Sequence, residues 1–267
     1  MMPSARPIGL FDSGVGGLTV MKEVVRQLPH ENLIYLGDTA HLPYGEKSPE
    51  AILRYTLENT DFLIEQGIKL LIIACHTASS HALDALQQKL SIPVIGVIES
   101  GLECLLKAPQ KKRIAVLGTA STIGSGVYQT SIQARLPDCE IFAVACPLFV
   151  PLIEEGLHSH QATNLIAQHY LGALKNKQID AALLACTHYP LIRSSIQQTL
   201  GEDVTLIEPA EACAKKAFHW LKESGSLNPV QKQPHYQFYA TDDPIKFRRL
   251  TTLFFGSEIP DIRCKKN

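Results

Sequence analysis

Two cysteines, Cys75 and Cys186, carry the clearest chemical signal in the sequence. Each closes a short apolar run: Leu71-Ile72-Ile73-Ala74-Cys75 and Ala182-Leu183-Leu184-Ala185-Cys186. Each is followed within two residues by a threonine and a histidine, as His76-Thr77 and Thr187-His188. Apolar runs of this length read as buried strands, so both thiols stand at strand ends. A thiolate can act as general base and a thiol as general acid. A free thiol of pKa ~8.5 is only slightly ionised at neutral pH, and a helix N-terminus or a nearby cation enlarges that fraction. One such group on each side of a tetrahedral carbon removes a proton from one face and returns one to the other. Configuration is then inverted. The reverse reaction exchanges the two roles, so the pair must be near-symmetric.

The elements around the cysteines supply that symmetry. Residues 8–12 read as a buried strand, followed by a Gly-rich turn and a helix over 18–28. Residues 33–38 predict a second strand. A helix over 49–67 has Ser48 as N-cap and Pro49 in its first turn. A strand over 70–74 stops at Cys75, a helix follows over 77–90, and 93–98 is the next strand. The pattern then repeats: strand 113–118, helix 125–136, strand 140–145, helix 161–176, and strand 181–185 stopping at Cys186. Residues 224–233 read as a surface loop, 235–241 as a strand and 243–255 as a helix. This last piece completes a sheet rather than forming a further domain. The alternation predicts an α/β fold of parallel sheets covered by helices, in two similar halves. Ligands of open parallel sheets bind at the carboxyl ends of strands. Two halves facing each other would bring both thiols to one cleft.

Other chemistries fit less well. Asp12-Ser13-Gly14-Val15-Gly16-Gly17 joins a strand to a helix but matches neither phosphate-binding glycine pattern. A Cys-phosphatase loop needs an arginine closing a short turn, and Arg193 lies one position too far from Cys186. Cys75, His76, Cys186 and His188 have the composition of a zinc set but lack the close knuckle spacing of structural sites. The remaining cysteines, Cys104, Cys139, Cys146, Cys213 and Cys264, read as buried and inert.

Composition narrows the class further. With 45% hydrophobic and 19% charged residues in 267, a sizeable core is expected. A net charge of −1 gives no electrostatic reason to expect nucleic acid or an acidic membrane as partner. The basic run Lys111-Lys112-Arg113 reads as a solvated loop. No apolar run approaches the ~20 residues of a membrane span, and the start of the chain lacks the apolar core of a signal peptide. Seven cysteines without framework spacing point to free thiols in a reducing cytoplasm.

Several long motifs, in order along almost the whole chain, resemble the glutamate racemase family within the aspartate/glutamate racemase superfamily. They are residues 11–19, 37–40 and 43–45; Cys75 with Thr77 and Ala78; 93–97; Gly118-Thr119 with Thr122 and Tyr128; 146–152 with Glu154 and Gly156; 186–191; and 238–241 through Phe247-Arg248. The resemblance implies two flavodoxin-like parallel-sheet domains related by a pseudo-two-fold, with the active site in the cleft between them. The first domain would span 1–98 plus 208–267 and the second 99–207. It implies conversion of L-glutamate to D-glutamate for peptidoglycan synthesis, without cofactor or metal. Cys75 and Cys186 would be the acid/base thiols, assisted by Asp12 and His188. Glu154 would support them. Asp12, Ser13, Pro43, Tyr44, Gly45, His76, Thr77, Thr119, Thr122, Thr187 and His188 would contact the substrate, hydroxyls and backbone N–H groups donating to its carboxylates. The expected partner is thus glutamate, and a homodimer is compatible with the reading.

The chain departs from the family pattern at His76, where an asparagine is usual. A neutral imidazole offers one donor and one acceptor in a geometry unlike an amide's. His41 stands where arginine is common, and Ile207-Glu208-Pro209 where Asp-Ser is common. These departures keep two alternatives open: a racemase of another acidic amino acid such as aspartate, and a weakened racemase retained as a binding or regulatory protein.

Overall fold

The computed structural model describes residues 3–108, 112–229 and 233–265. Among these, ten strands form: β1 (Ile8–Asp12), β2 (Leu33–Gly37), β3 (Leu70–Ile73), β4 (Val94–Gly96), β5 (Arg113–Gly118), β6 (Glu140–Ala145), β7 (Ala181–Ala185), β8 (Thr205–Ile207), β9 (Tyr236–Ala240) and β10 (Ile262–Cys264). Every adjacent pair runs parallel. One sheet has the order β10-β9-β2-β1-β3-β4 and the other β6-β5-β7-β8. The α/β class and its two parallel sheets are therefore as the sequence predicts. The order β2-β1-β3-β4 in one sheet is the order β6-β5-β7-β8 in the other. In each, the chain reverses direction of travel beside the first strand, between β1 and β3 and between β5 and β7. Crevices open at such reversals. Cys75 and Cys186 come just after β3 and β7, so both stand beside one.

The helices are α1 (Leu18–Gln27), α2 (Pro49–Glu65), α3 (His76–Lys89), α4 (Val97–Lys107), α5 (Ala120–Gly124), α6 (Val127–Arg135), α7 (Phe149–Glu154), α8 (Gln161–Leu171), α9 (Arg193–Leu200), α10 (Ala210–Glu223) and α11 (Pro244–Phe255). α1 buries Leu18, Val20, Met21 and Val24 on its core-facing side. α2 starts as expected, with Pro49 in the first turn and the Ala51 N–H donating to Ser48 Oγ at 3.3 Å. β1, β2 and β7 are buried throughout, which is why they read as continuous apolar runs.

Three expected elements come out differently. The strand at 93–98 ends at Gly96, and Val97 opens α4 instead, burying Val97, Ile98, Leu102 and Leu105 at helical spacing. Periodicity alone does not separate a short buried strand from the first turn of a buried helix. The helix at 125–136 opens only at Val127, as α6, after Gly126 takes a φ of 70° that only glycine adopts readily, and the short α5 precedes it unannounced. The helix at 161–176 tightens after Leu171 into a 3-10 stretch, Gly172–Lys177. Of the expected surface loop 224–233, residues 230–232 lie outside the described residues, as does Lys111 of the basic run. Arg113 of that run begins β5 and pairs with Glu140 at 2.8 Å. Among the described residues no helix is long and apolar enough to cross a membrane.

Candidate active site

β1 ends on Asp12, which is fully buried. Its Oδ1 accepts from the Gly14 N–H at 3.0 Å, turning the chain into the glycine loop. Gly16 lies so close to Thr187 Oγ1 and the His188 ring that any Cβ would collide with them. That glycine lets the loop of the first sheet touch the cysteine turn of the second. Burial raises the Asp12 pKa, against the lowering pull of the His188 charge and of the Gly14 and Gly17 N–H groups.

Cys75 caps α3. Its sulfur accepts from the Ala78 N–H at 3.4 Å, and its S–H reaches Ser13 Oγ at 3.4 Å. The helix N-terminus was expected to favour a thiolate here. It does not prevail. Burial, then the Asp12 charge, push the Cys75 pKa up to about 12, outweighing the hydrogen bonds with Ser13 and Ala78. Cys75 is a thiol at neutral pH.

Cys186 has different surroundings. A 3-10 turn, Tyr189–Ile192, rather than an α-helix follows its strand. The His188 Nδ1 stands 4.0 Å from its sulfur and 3.5 Å from Thr187 Oγ1. On the other side of the ring, Nε2 is 3.0 Å from Glu154 Oε1 at the end of α7. Burial alone would lower the His188 pKa, but the hydrogen bonds and charges of Cys186 and Glu154 override it and lift it to about 10. Glu154 is lowered in turn: burial raises it, and His188 outweighs burial. An imidazolium beside a sulfur favours the thiolate. The two thiols therefore meet opposite environments, one beside a buried carboxylate and one beside a cation.

A cavity of about 40 Å³ lies between them, room for about three waters. Ser13, Pro43, Tyr44, Gly45, Cys75, His76, Thr77, Thr119, Cys186, Thr187 and His188 all line it. Three expected residues do not. Asp12 sits behind the wall. Thr122 is buried, holding Thr77 at 3.0 Å and Thr119 at 2.9 Å through its hydroxyl. Glu154 stands behind His188, on the wall of a neighbouring hollow. Asp12 and Thr122 were expected to meet the substrate directly and instead stand behind residues that line the cavity, while Glu154 was expected as a supporting residue. Asp38 accepts from Tyr44 Oη at 2.6 Å and Thr241 Oγ1 at 2.7 Å, tying the tail to the cavity wall. His41 stacks on Tyr55 at 3.8 Å and meets Asp38 at 2.9 Å. Glu208 pairs with Arg193 at the surface.

The cavity also has wall residues the sequence reading passed over: Leu42, Glu46, Ala120, Pro147 and Val150. Pro147 and Val150 lie in a motif already singled out, so their place was open to inference. Tyr128 was noted only as a motif match. It is fully buried, and its hydroxyl meets His76 Nδ1 at 2.7 Å. Among the described residues no three of His, Cys, Asp or Glu come together as metal ligands would. Of the five cysteines expected to be buried, Cys139, Cys146 and Cys213 are; Cys104 is half-buried and Cys264 exposed, lying on the short edge strand β10.

A family model described as Asp/Glu/hydantoin racemase matches residues 8–217. The glutamate racemase of Chlorobaculum tepidum is 47% identical over 262 residues, covering 97% of this chain and 96% of that one. The glutamate racemase of Geobacter metallireducens is 45% identical over 257 residues, covering 96% and 95%. A crystal structure of the Francisella tularensis glutamate racemase in complex with D-glutamate superposes with a TM-score of 0.93 at 40% identity, covering 98% of both chains.

Proposed function

The chain belongs to the glutamate racemases of the Asp/Glu/hydantoin racemase family, and on that premise we propose how Cys75 and Cys186 share the reaction between them. The enzyme is an isomerase that interconverts L- and D-glutamate, and the D-enantiomer supplies peptidoglycan synthesis. One observation carries the proposed mechanism. Two cysteines from the strand ends of two different sheets line one small cavity.

In one working state Cys75 carries the proton and Cys186, beside the His188 imidazolium, acts as the base. The enantiomer whose Cα–H faces Cys186 loses that proton to its sulfur. The electron pair left on Cα takes a proton from Cys75 on the opposite face. Cys186 is now the thiol and Cys75 the thiolate, the state that processes the other enantiomer. Asp12, behind Cys75, raises the proton affinity of that thiolate and makes it the stronger base. The carboxylates of the substrate face hydroxyls of Ser13, Thr77, Thr119 and Thr187 and the first turn of α3, where the helix dipole and free N–H groups favour anions. A dicarboxylic amino acid is larger than three waters, so binding has to part the walls of the cavity. Eleven of the expected substrate-contacting and catalytic positions lie on this wall, and Asp12 and Thr122 stand directly behind it, which supports the assignment. The division into residues 1–98 plus 208–267 and 99–207 belongs to the same proposal, supported by β9 pairing with β2. A cytoplasmic setting also belongs to it, supported by seven free cysteines.

The test is isotope entry at Cα in deuterated water. Single turnover by the wild type should place deuterium in the product and none in recovered substrate. Cys75→Ala and Cys186→Ala should each lose racemisation by about 100-fold or more, the usual contribution of a general acid or base. Wild-type turnover in either variant would overturn the two-thiol assignment.

A further inference from the structure

His76, on the cavity wall, and Tyr128, buried behind it, form a polar pair that the mechanism leaves unused. His76 opens α3 in the first half and Tyr128 lies on α6 in the second, so the bond crosses between the halves. We propose that Tyr128 is a positioning residue that fixes His76 as the Nε2–H tautomer, so that His76 presents a single N–H donor to a carboxylate of the substrate. The proposal rests on the racemase reading for the identity of that substrate.

Three observations lead there. First, the Tyr128 hydroxyl is fully buried, and its hydrogen-bond partner among the described residues is His76 Nδ1, at 2.7 Å. If the imidazole donated from Nδ1, the phenol O–H would be a buried donor with no acceptor. An orphaned buried donor is rarer and more costly than an under-used lone pair. The phenol therefore donates and Nδ1 accepts. Second, burial pushes the His76 pKa down to about 3, so the ring is neutral at neutral pH and carries one proton. With Nδ1 accepting, that proton sits on Nε2. Third, the ring lines the cavity beside Cys75 and Thr77, while Nδ1 is taken up on the Tyr128 side. Nε2–H is the polar group it has left to offer a ligand. A neutral donor suits a site where the cation is already placed at His188: it binds a carboxylate without adding a second charge beside Cys75.

Tyr128→Phe removes the donor and leaves the ring shape. The Nε2–H of His76 then competes with the Nδ1–H tautomer, which turns an acceptor toward the carboxylate. A donor of this kind holds substrate and transition state alike, so KM for glutamate should rise roughly tenfold while kcat changes little. Nitrogen NMR of the imidazole, with His76→Asn used to assign the signal, should show Nδ1 unprotonated and Nε2 protonated in the wild type and a tautomer mixture in Tyr128→Phe. In the His76→Asn background the amide keeps its own N–H donor, so adding Tyr128→Phe should leave KM unchanged. An Nδ1–H tautomer in the wild type overturns the proposal. So does an equal KM effect of Tyr128→Phe in both backgrounds, which would mark a purely structural role. Absence of racemisation by the folded wild type would instead strike the racemase reading, and the tautomer measurement would stand apart from it.

Discussion

Replacing Glu154 by glutamine isolates the chain of groups behind Cys186. The carboxylate lies 3.0 Å from His188 Nε2, largely buried, and is the group that holds the imidazolium in place. A hydrogen bond to a charged partner is worth about 1.5–3 kcal/mol, and an amide restores only the neutral part of it. If that stabilisation acts fully on the Cys186 proton transfer, the step slows by about 10- to 100-fold, at ~1.4 kcal/mol per decade. The steady-state rates cannot show which thiol was weakened. Free enantiomers have equal energies, so kcat/KM for L- and D-glutamate must remain equal in any variant. A slower Cys186 step lowers both together.

Isotope effects break that tie. For the enantiomer deprotonated by Cys186, Cα–H cleavage becomes more rate-limiting, and the primary isotope effect with Cα-deuterated substrate rises toward its full value. For the other enantiomer, Cα–H cleavage belongs to Cys75 and becomes less limiting. Its substrate isotope effect falls toward unity, while its solvent isotope effect rises because Cys186 now delivers the proton. Divergent substrate isotope effects in Glu154→Gln are the expected result. If both enantiomers shift in the same direction, Glu154 serves the two thiols alike, and the pairing of Cys186 with the His188–Glu154 chain is wrong.

Three further outcomes follow from the same geometry. His188 holds its proton more tightly in the folded protein, about 10 against the ordinary 6.5, so the stability it adds is complete below 6.5 and is lost as pH rises toward 10. His76 is buried neutral, about 3 against 6.5, so stability also falls as pH drops from 6.5 toward 3. Urea midpoints across pH should peak near neutrality, and His188→Asn should flatten the alkaline limb; an unchanged limb would refute the assignment. Gly16→Ala drives a methyl into Thr187 and His188 and should cost about 1–3 kcal/mol of unfolding free energy along with most of the activity; activity near the wild-type level in that variant would show that the loop yields freely. Thr122→Val strips a buried hydroxyl shared by Thr77 and Thr119 and should lower stability by about 1–3 kcal/mol in a denaturant titration; no loss would mean the threonine cluster is not a structural unit.

Much of this was legible in the residues, and the limits are instructive. β1, β3 and β7 were read correctly because a strand buried on both faces is an uninterrupted apolar run, and such runs have sharp ends. The end was the informative part, since it named Cys75 and Cys186. α4 was missed for the same reason that β4 was found: Val94 through Ile98 is one apolar run that changes conformation at Gly96. β10 is three residues long with two exposed, so it carries no pattern at all. In the site, hydroxyl and thiol positions could be named from motif position. What could not be read was depth. Thr119 and Thr122 are three apart in one motif, yet one faces the cavity and the other supports it from behind. Nothing in a linear sequence announces that Tyr128 reaches His76, because the bond joins two halves whose relative placement is a property of the fold.

The matching strand orders and the unlike thiols present a conflict that the reaction itself resolves. The reaction demands two bases on opposite faces of one carbon, and the repeated strand order provides two cysteines beside two equivalent reversals of the sheet. It does not demand that the two be alike at rest. The two sulfurs must hold, between them, one proton in either working state. If both thiols had the surroundings of Cys75, buried next to a carboxylate, the resting enzyme would carry two protons and no base. If both stood next to an imidazolium, both would be drawn toward the thiolate and the pair would be short of an acid. One thiol raised beside a carboxylate and one placed beside an imidazolium suit a pair that shares a single proton, which is the condition for turnover. Because the free enantiomers are equal in energy, this bias cannot favour one product. It can only decide which enantiomer meets a ready enzyme first, and how often the pair must exchange its proton before the other is bound.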